Sequence, residues 1–293
     1  MNRVLVNPAA GRGKSRRALE ALRGLAAEAG SELHVSADAE DLVAQARAAV
    51  RDGVERLLVA GGDGTFHHVA QALVGAPCAL GVVPLGRGND FAADLAVPEE
   101  LAAAFAFAQS GPLRQIDVGR VNDRYFTGYC GVGFDSEAAR YAYEAPAFLS
   151  GTLAYVYSVL RTMLTFHAPM MKVRHGAGEF AGPAMFAVAC NISRFGGGMR
   201  IAPEARYDDG LLDLVIAREL GRIALLRVFP KVYTGRHVDH PAVQISRTAT
   251  ASVEVDRSLN IACDGELVGR LTDHRLEVSI EPAALRVVAP ETD

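Results

Sequence analysis

Cysteine is scarce. There are four in 293 residues, at 78, 130, 190 and 263. They lie far apart among apolar or small neighbours, and no Cys-x-x-Cys or Cys/His spacing occurs, which excludes a zinc site and predicts buried, reduced thiols in a cytosolic protein. Long apolar runs are also missing. The two longest uncharged stretches, 69–86 and 145–160, are broken by Pro77 and Pro84 and by Pro146 and Gly151, whereas a spanning helix needs about 20 mostly apolar residues. The apolar run 4–6 is too short for the core of a signal peptide. Positive charge is not in excess. With 30 Lys and Arg against 34 Asp and Glu the net charge is −4, and the clustered basic surface that a phosphate backbone requires is not expected, which argues against nucleic acid as the main partner. Internal repeats and low-complexity tracts are absent.

What is present suffices for a folded core. Half the residues are hydrophobic, and at roughly 100–200 residues per domain the length favours two domains. In the first part, strands and helices alternate. Strands are predicted at 3–7, 32–36, 56–60 and 79–84, and helices at 16–29, 41–51, 66–73 and 99–109. In the first helix Leu19, Leu22 and Leu25 share one face and Gly30 is the stop. Alternation at this interval predicts βαβ units and a mainly parallel sheet. The rhythm changes after Gly111-Pro112. Strands are then predicted at 116–121, 124–130, 170–174, 184–191, 211–217, 253–255, 259–263 and 276–280, with helices only at 151–166 and 222–233. Asn122-Asp123 and Asp264-Gly265 are turn dipeptides. The second part reads as β-rich and antiparallel.

Three glycine-rich loops follow strands of the first part. They run from Asn7 through Gly11, Arg12 and Lys14; from Gly61 through Gly62, Asp63, Gly64 and Thr65; and from Pro84 through Gly86, Arg87, Gly88 and Asn89 to Asp90. In a parallel sheet such loops share the carboxyl edge, where ligands bind. Glycines let backbone N–H groups approach a phosphate, and the following helix N-termini add positive potential. Two familiar fingerprints are excluded. Gly13-Lys14-Ser15 is not a P-loop, because the required first glycine is Pro8, and no G-x-G-x-x-G occurs, because His67 and Phe91 stand where the third glycine should be.

Asp63, an acidic residue between glycines at the tip of a buried strand, suits Mg²⁺ carried by ATP, with Asp90 as companion; the competing reading is that both cap helices. Arg12, Lys14 and Arg87 are either cations for the phosphates or solvated surface charges. Asp264 and Glu266 flank Gly265 in a tight turn and are either working carboxylates or hydrophilic hairpin residues. Asp208-Asp209-Gly210 has the form of an ordinary turn. His67 and His68 are adjacent on a helix and point apart, so they make no metal pair, and no nucleophile elbow or triad is recognisable.

Taken in order, these residues resemble the diacylglycerol kinase catalytic-domain family, which includes sphingosine kinases and the YegS-like bacterial lipid kinases. The resemblance spans nearly the whole chain. It rests on Asn7-Pro8-x-x-Gly11, Gly61-Gly62-Asp63-Gly64-Thr65, Pro84-x-Gly86-x-x-Asn89-Asp90-Phe91-Ala92, Gly196-Gly197-Gly198-Met199-x-Ile201-Ala202-Pro203, Asp208-Asp209-Gly210-Leu211-Leu212 and Asp264-Gly265-Glu266. It implies a three-layer α/β nucleotide-binding domain over 1–115, of the NAD kinase and phosphofructokinase kind. A β-sandwich over 116–282 follows, the tail 283–293 returns to the first domain, and the active site lies in the cleft between the two. It implies ATP held by Gly61, Gly62, Asp63, Gly64, Thr65, Phe66 and His67 and by the third loop, with Ser36 at an upstream ATP-touching threonine position. Glu266 matches the family's general base. A structural Mg²⁺ would take the Asp209 side chain with backbone oxygens of Arg206 and Leu211. One departure is Arg87, where the family usually has threonine; an ATP-contacting hydroxyl is exchanged for a cation.

The expectation is therefore γ-phosphoryl transfer from MgATP to a lipid alcohol, diacylglycerol-like, by a cytoplasmic protein touching the membrane peripherally, with a homodimer left open. Asp63 helps to hold the catalytic Mg²⁺, with Asp90 through water. Glu266 takes the hydroxyl proton, Asp264, the other carboxylate of the catalytic set, either orients a backbone N–H of the turn or stands behind the metal's ligands, and positioning does most of the work. The segment 148–166, with Leu149, Leu153, Tyr157, Leu160 and Leu164, is either the wall of a lipid slot or an ordinary core helix. The rival readings are a soluble-substrate kinase such as an NAD kinase and a non-catalytic lipid-binding regulator.

Overall fold

The computed structural model describes residues 2–146, 149, 152–176 and 178–291; Phe148, which opens the segment 148–166, Gly151 and the end of the tail lie outside them. The chain divides into two compact units, Met1–Val118 with Pro282–Asp293, and Gly119–Glu281.

The first unit runs β1 (Asn2–Val6), α1 (Lys14–Glu28), β2 (Glu32–Val35), α2 (Ala39–Arg51), β3 (Arg56–Gly61), α3 (Asp63–Leu73), β4 (Ala79–Pro84), α4 (Asp90–Asp94) and α5 (Leu101–Ser110), then enters β5 (Leu113–Val121). β1 pairs in parallel with β2 and with β3, and β3 with β4, giving the order β2-β1-β3-β4. The central strands are continuous apolar runs because both faces are covered; Val4, Leu5, Val6, Leu57, Leu58, Val59 and Ala60 are all buried. The helices present their apolar stripes to the sheet. In α2, Leu42, Ala46 and Ala49 are buried at helical spacing, and the Asp38 side chain caps the N-terminus by accepting from Asp41 N–H at 2.8 Å.

The second unit continues with β6 (Arg124–Phe126), β7 (Tyr129–Gly133), α6 (Phe134–Tyr143), α7 (Thr152–Thr165), β8 (Met170–His175), β9 (Gly178–Cys190), β10 (Leu212–Arg218), α8 (Arg222–Val232), β11 (Val243–Thr248), β12 (Thr250–Val255), β13 (Asn260–Cys263), β14 (Glu266–Arg270) and the start of β15 (Arg275–Val288), whose end, from Pro282, belongs to the first unit. Its pairing is antiparallel. One sheet runs β14-β13-β7-β9-β10-β11. The other joins the first half of β9 to β8, then β12, then the start of β15. β9 thus serves both sheets and changes from one to the other at Pro183/Ala184. Between the sheets, Val132, Ala187, Leu214 and Ile216 meet Val173, Phe180, Val253 and Leu276 in one apolar core. This is the β-sandwich expected.

The structure also holds elements that the residue pattern did not predict: α6, β11, β14, α4 and the first half of β9. α6 starts directly on β7 at Gly133, whose φ of 119° only glycine adopts readily, so no loop residues announce it. β14 carries Gly269 and is largely exposed, and β9 opens on Gly-Glu-Phe-Ala-Gly-Pro, a composition that reads as loop.

Candidate active site

In the order β2-β1-β3-β4 the chain turns from one side of β1 to the other. The loops after β1 and β3 therefore open side by side at the carboxyl edge, the usual ligand position in such a sheet. Direct contacts draw the three glycine loops together. Asn7 Nδ2 donates to Thr65 Oγ1 at 2.9 Å, and Leu85 N–H to the Gly61 carbonyl at 2.6 Å. A Cβ on Gly62 would lie 2.8 Å from Gly86 Cα, and one on Gly11, at φ 61°, would lie 2.3 Å from the Leu85 carbonyl oxygen. Any side chain at either position would force the loops apart. α1 and α3 begin at Gly13 and Gly62 with no side-chain cap on their first N–H groups, which leaves both helix ends suited to an anion.

Asp63 is the first residue of α3, and its Oδ1 accepts from Phe91 N–H at 3.1 Å. That bond ties the second loop to the third. Asp90 is buried one residue earlier, at the start of α4. Asn89 sits in the left-handed region at φ 54°, and its Oδ1 is buried without a hydrogen-bond partner. A carboxylate at a phosphate-suited loop, with a second one on the neighbouring loop, fits the Mg²⁺ that accompanies a nucleoside triphosphate.

Three of the residues expected at the nucleotide, Ser36, Phe66 and His67, have buried side chains. Phe66 and His67 are 0% and 1% exposed, so their side chains belong to the core beneath the loop, and the Phe66 N–H is taken by the Gly62 carbonyl. Ser36 is also buried, and its hydroxyl donates to the Val6 carbonyl at 3.2 Å. It braces the end of β1. Lys14 and Arg87 are exposed at the loop rims.

In the second unit, the turn between β13 and β14 holds Asp264 and Glu266. Asp264 is buried, at φ 52°. Its carboxylate accepts the backbone N–H groups of Thr127, Gly128 and Tyr129 at 2.9, 2.8 and 3.0 Å, and the Thr127 hydroxyl at 3.3 Å. It is a positioning residue that pins the turn to the start of β7. Glu266, at the start of β14, is half-buried. Beside this turn lies a residue that sequence reasoning missed. Asp135, in the first turn of α6, has both carboxylate oxygens buried without a hydrogen-bond partner, and burial raises its pKa to about 7. Its Oδ2 would be 2.2 Å from a Cβ on Gly131, so Gly131 is required for the carboxylate to sit there. Gly131-x-Gly133-Phe134-Asp135 was the available signal: glycines, then an acid, on a strand-to-helix corner. Burial raises the Cys263 thiol as well, beside Cys130 and Asp135.

The Asp209 turn does not fit the metal foreseen with Arg206 and Leu211. A carboxylate with backbone carbonyls is a suitable oxygen set for Mg²⁺, but both Asp209 oxygens are engaged. Oδ1 accepts from Leu211 N–H at 3.0 Å and Oδ2 is bound by the Arg247 guanidinium. No cluster of three His, Cys, Asp or Glu converges on a metal-sized point among the described residues. The segment expected as either a lipid-slot wall or a core helix has two faces. Leu153, Leu160 and Leu164 lie on the exposed face of α7, while Val159 and Met163 pack inward.

The parallel α/β unit with converging glycine loops, followed by an antiparallel sandwich with an acidic turn, defines a two-domain nucleotide-dependent enzyme. Residues 2–121 match the diacylglycerol kinase catalytic domain, and residues 128–289 match the YegS C-terminal NAD kinase beta sandwich-like domain. The chain is 32% identical over 296 residues to a diacylglycerol kinase of Mycobacterium tuberculosis, covering 98% of this chain and 94% of that protein. It is 28% identical to a diacylglycerol kinase of Bacillus subtilis, covering 92% and 90%. A Bacillus anthracis crystal structure shares the fold at a TM-score of 0.81 and 21% identity, covering 98% of this chain and 94% of that one. The chain belongs to the diacylglycerol kinase family.

Proposed function

We propose that this protein transfers the γ-phosphoryl group of ATP to the hydroxyl of a diacylglycerol-like lipid. The observation that carries the reading is the relationship, over nearly the full length of both chains, to proteins named diacylglycerol kinase. The merging of the three loops through Asn7, Thr65, Gly62 and Gly86 supports the nucleotide half. The loop backbone and the N-termini of α1 and α3 cradle the phosphates, and Asp63, with Asp90 beside it, holds the Mg²⁺ that ATP brings. When bound, that ion offsets the charge on the β- and γ-phosphates. Glu266 accepts the lipid hydroxyl proton as its oxygen attacks the γ-phosphorus. The bond from that phosphorus to the β–γ bridging oxygen breaks, and ADP leaves. Asp264 holds the turn that carries Glu266, and Asp135 is the third carboxylate of that region. Arg87 and Lys14 are exposed cations for the outer phosphate oxygens.

The test is transfer of label from γ-labelled ATP to a total lipid extract, resolved by chromatography, with NAD as the soluble alternative acceptor. Label should appear in a phosphatidic-acid-like product. Asp63→Asn should fold normally and lose nearly all transfer, because an amide cannot replace the anionic ligand. Label on NAD with none on any lipid overturns the reading.

A further inference from the structure

α7 and α8 contain no acidic residue. Their inner faces pack into one cluster, with Val159 and Met163 of α7 and Leu225 and Phe229 of α8 meeting around Phe134 and Met185. Their ends are tied together, since Arg222 Nη2 at the start of α8 donates to the Leu164 carbonyl at the end of α7, at 3.0 Å. The two outer faces are therefore neighbours.

Those outer faces are not what a solvated helix presents. Leu153, Leu160 and Leu164 of α7 and Ile223 and Leu226 of α8 are between 44% and 68% exposed. A single exposed leucine is ordinary, but five on two linked helices need an explanation. Beside them α8 carries Arg222, Arg227 and Lys231, all exposed. Arg161 of α7 does not add to this charge, because Glu144 pairs with it at 3.4 Å. The whole chain has a net charge of −4, so the positive, acid-free face of α8 runs against the overall sign. Exposed branched apolar residues flanked by cations, with no carboxylate between them, match a helix lying in the plane of an anionic bilayer.

We propose that the outer faces of α7 and α8 dock this protein on an anionic bilayer. The aliphatic side chains enter the acyl boundary, and Arg227 and Lys231 meet the headgroups. The proposal rests on the lipid-kinase reading for its choice of partner, since an apolar substrate resides in such a surface. No helix among the described residues is long and apolar enough to cross a membrane, which makes a surface contact the route to a bilayer lipid.

The experiment is co-sedimentation of the full chain with vesicles of phosphatidylcholine alone and of an equal mixture with phosphatidylglycerol. The wild type should bind the mixed vesicles, bind pure phosphatidylcholine weakly, and release as salt rises. Arg227→Ala with Lys231→Ala should weaken binding to mixed vesicles about 25-fold. Ile223→Ser with Leu226→Ser should weaken binding to mixed vesicles about tenfold or more. Both α8 double variants should keep the wild-type melting temperature and full activity on a water-dispersed short-chain diacylglycerol. Wild-type binding by the variants overturns the proposal. So does a wild type that binds neither vesicle, or a dimer in solution that the Ile223/Leu226 variant splits while its vesicle binding stays unchanged. Failure of the wild type to phosphorylate any lipid while it still binds vesicles overturns the lipid-kinase reading and leaves the docking face standing.

Discussion

The Asp264 carboxylate faces the backbone of Gly128, whose N–H it accepts at 2.8 Å, and it holds the flanking N–H groups of Thr127 and Tyr129 in the same grip. Charge-assisted bonds to buried N–H groups are stronger than neutral ones. Asp264→Asn removes the charge and turns an NH₂ toward N–H donors. The expected cost is about 2–4 kcal/mol of stability, read by chemical denaturation, together with a lower kcat because the Glu266 turn loosens. A variant as stable as the wild type would show that the grip is not structural.

Glu266 should behave in the opposite way. It is half-buried at the start of β14, and Glu266→Gln keeps its size while removing basicity. Loss of a general base is worth about 10²–10⁴-fold, so kcat should fall by that order while ATP affinity and melting temperature hold. A Glu266→Gln enzyme with wild-type kcat would transfer the base role to Asp135 or Asp63.

The sheet of the first unit was legible because buried parallel strands are unbroken apolar runs, and 56–60 and 79–84 stand out between polar helices. The loops were legible because a Cβ on the glycines at 11, 62 or 86 would meet backbone inside van der Waals distance, and one on Gly61 would meet the Thr65 side chain, a need that no other residue satisfies. What stayed hidden depends on partners far along the chain. Nothing near Asp264 names Thr127, which is 137 positions away. Phe66 and His67 look like part of the loop, yet α3 turns both inward at its second step. Asp135 resembles any acidic residue in a first helical turn, and only the packing of β7 and β13 around it buries its oxygens. Arg247 meets Asp209 through a strand, β11, that its half-exposed pattern concealed.

At the Asp209 turn, the guanidinium of Arg247 stands where a divalent cation was expected. Ligands that bind only the folded state raise its stability by mass action. The wild-type melting temperature should therefore be insensitive to Mg²⁺ and to chelator. Arg247→Met frees the carboxylate and should give a melt that rises with Mg²⁺. A wild-type melt that climbs with Mg²⁺, and fails to do so in Asp209→Ala, would restore the metal to that turn.

Asp135 makes the sharpest pH prediction. Burial holds its carboxyl near pH 7 in the folded protein, against 3.8 for an ordinary aspartate, while the nearby backbone N–H groups of Ser136 and of Asp135 itself pull the other way without making a full hydrogen bond. A folded-state pKa above the unfolded one means that the folded chain holds a proton that the unfolded chain has released. The corresponding stability is fully present below about pH 4 and is lost as pH rises to about 7, and the loss is complete above that. Asp135→Asn is neutral throughout and should escape this loss. In chemical denaturation at pH 8 it should exceed the wild type by on the order of 3 kcal/mol, and the gap should close on going down to pH 4. A packing residue with that profile would make the variant simply a better protein. If Asp135 works in phosphoryl transfer, the same variant gains stability and loses kcat together, the signature of a group kept in an unfavourable place for function. Equal stabilities at pH 8 would show that the buried carboxylate finds a compensating partner.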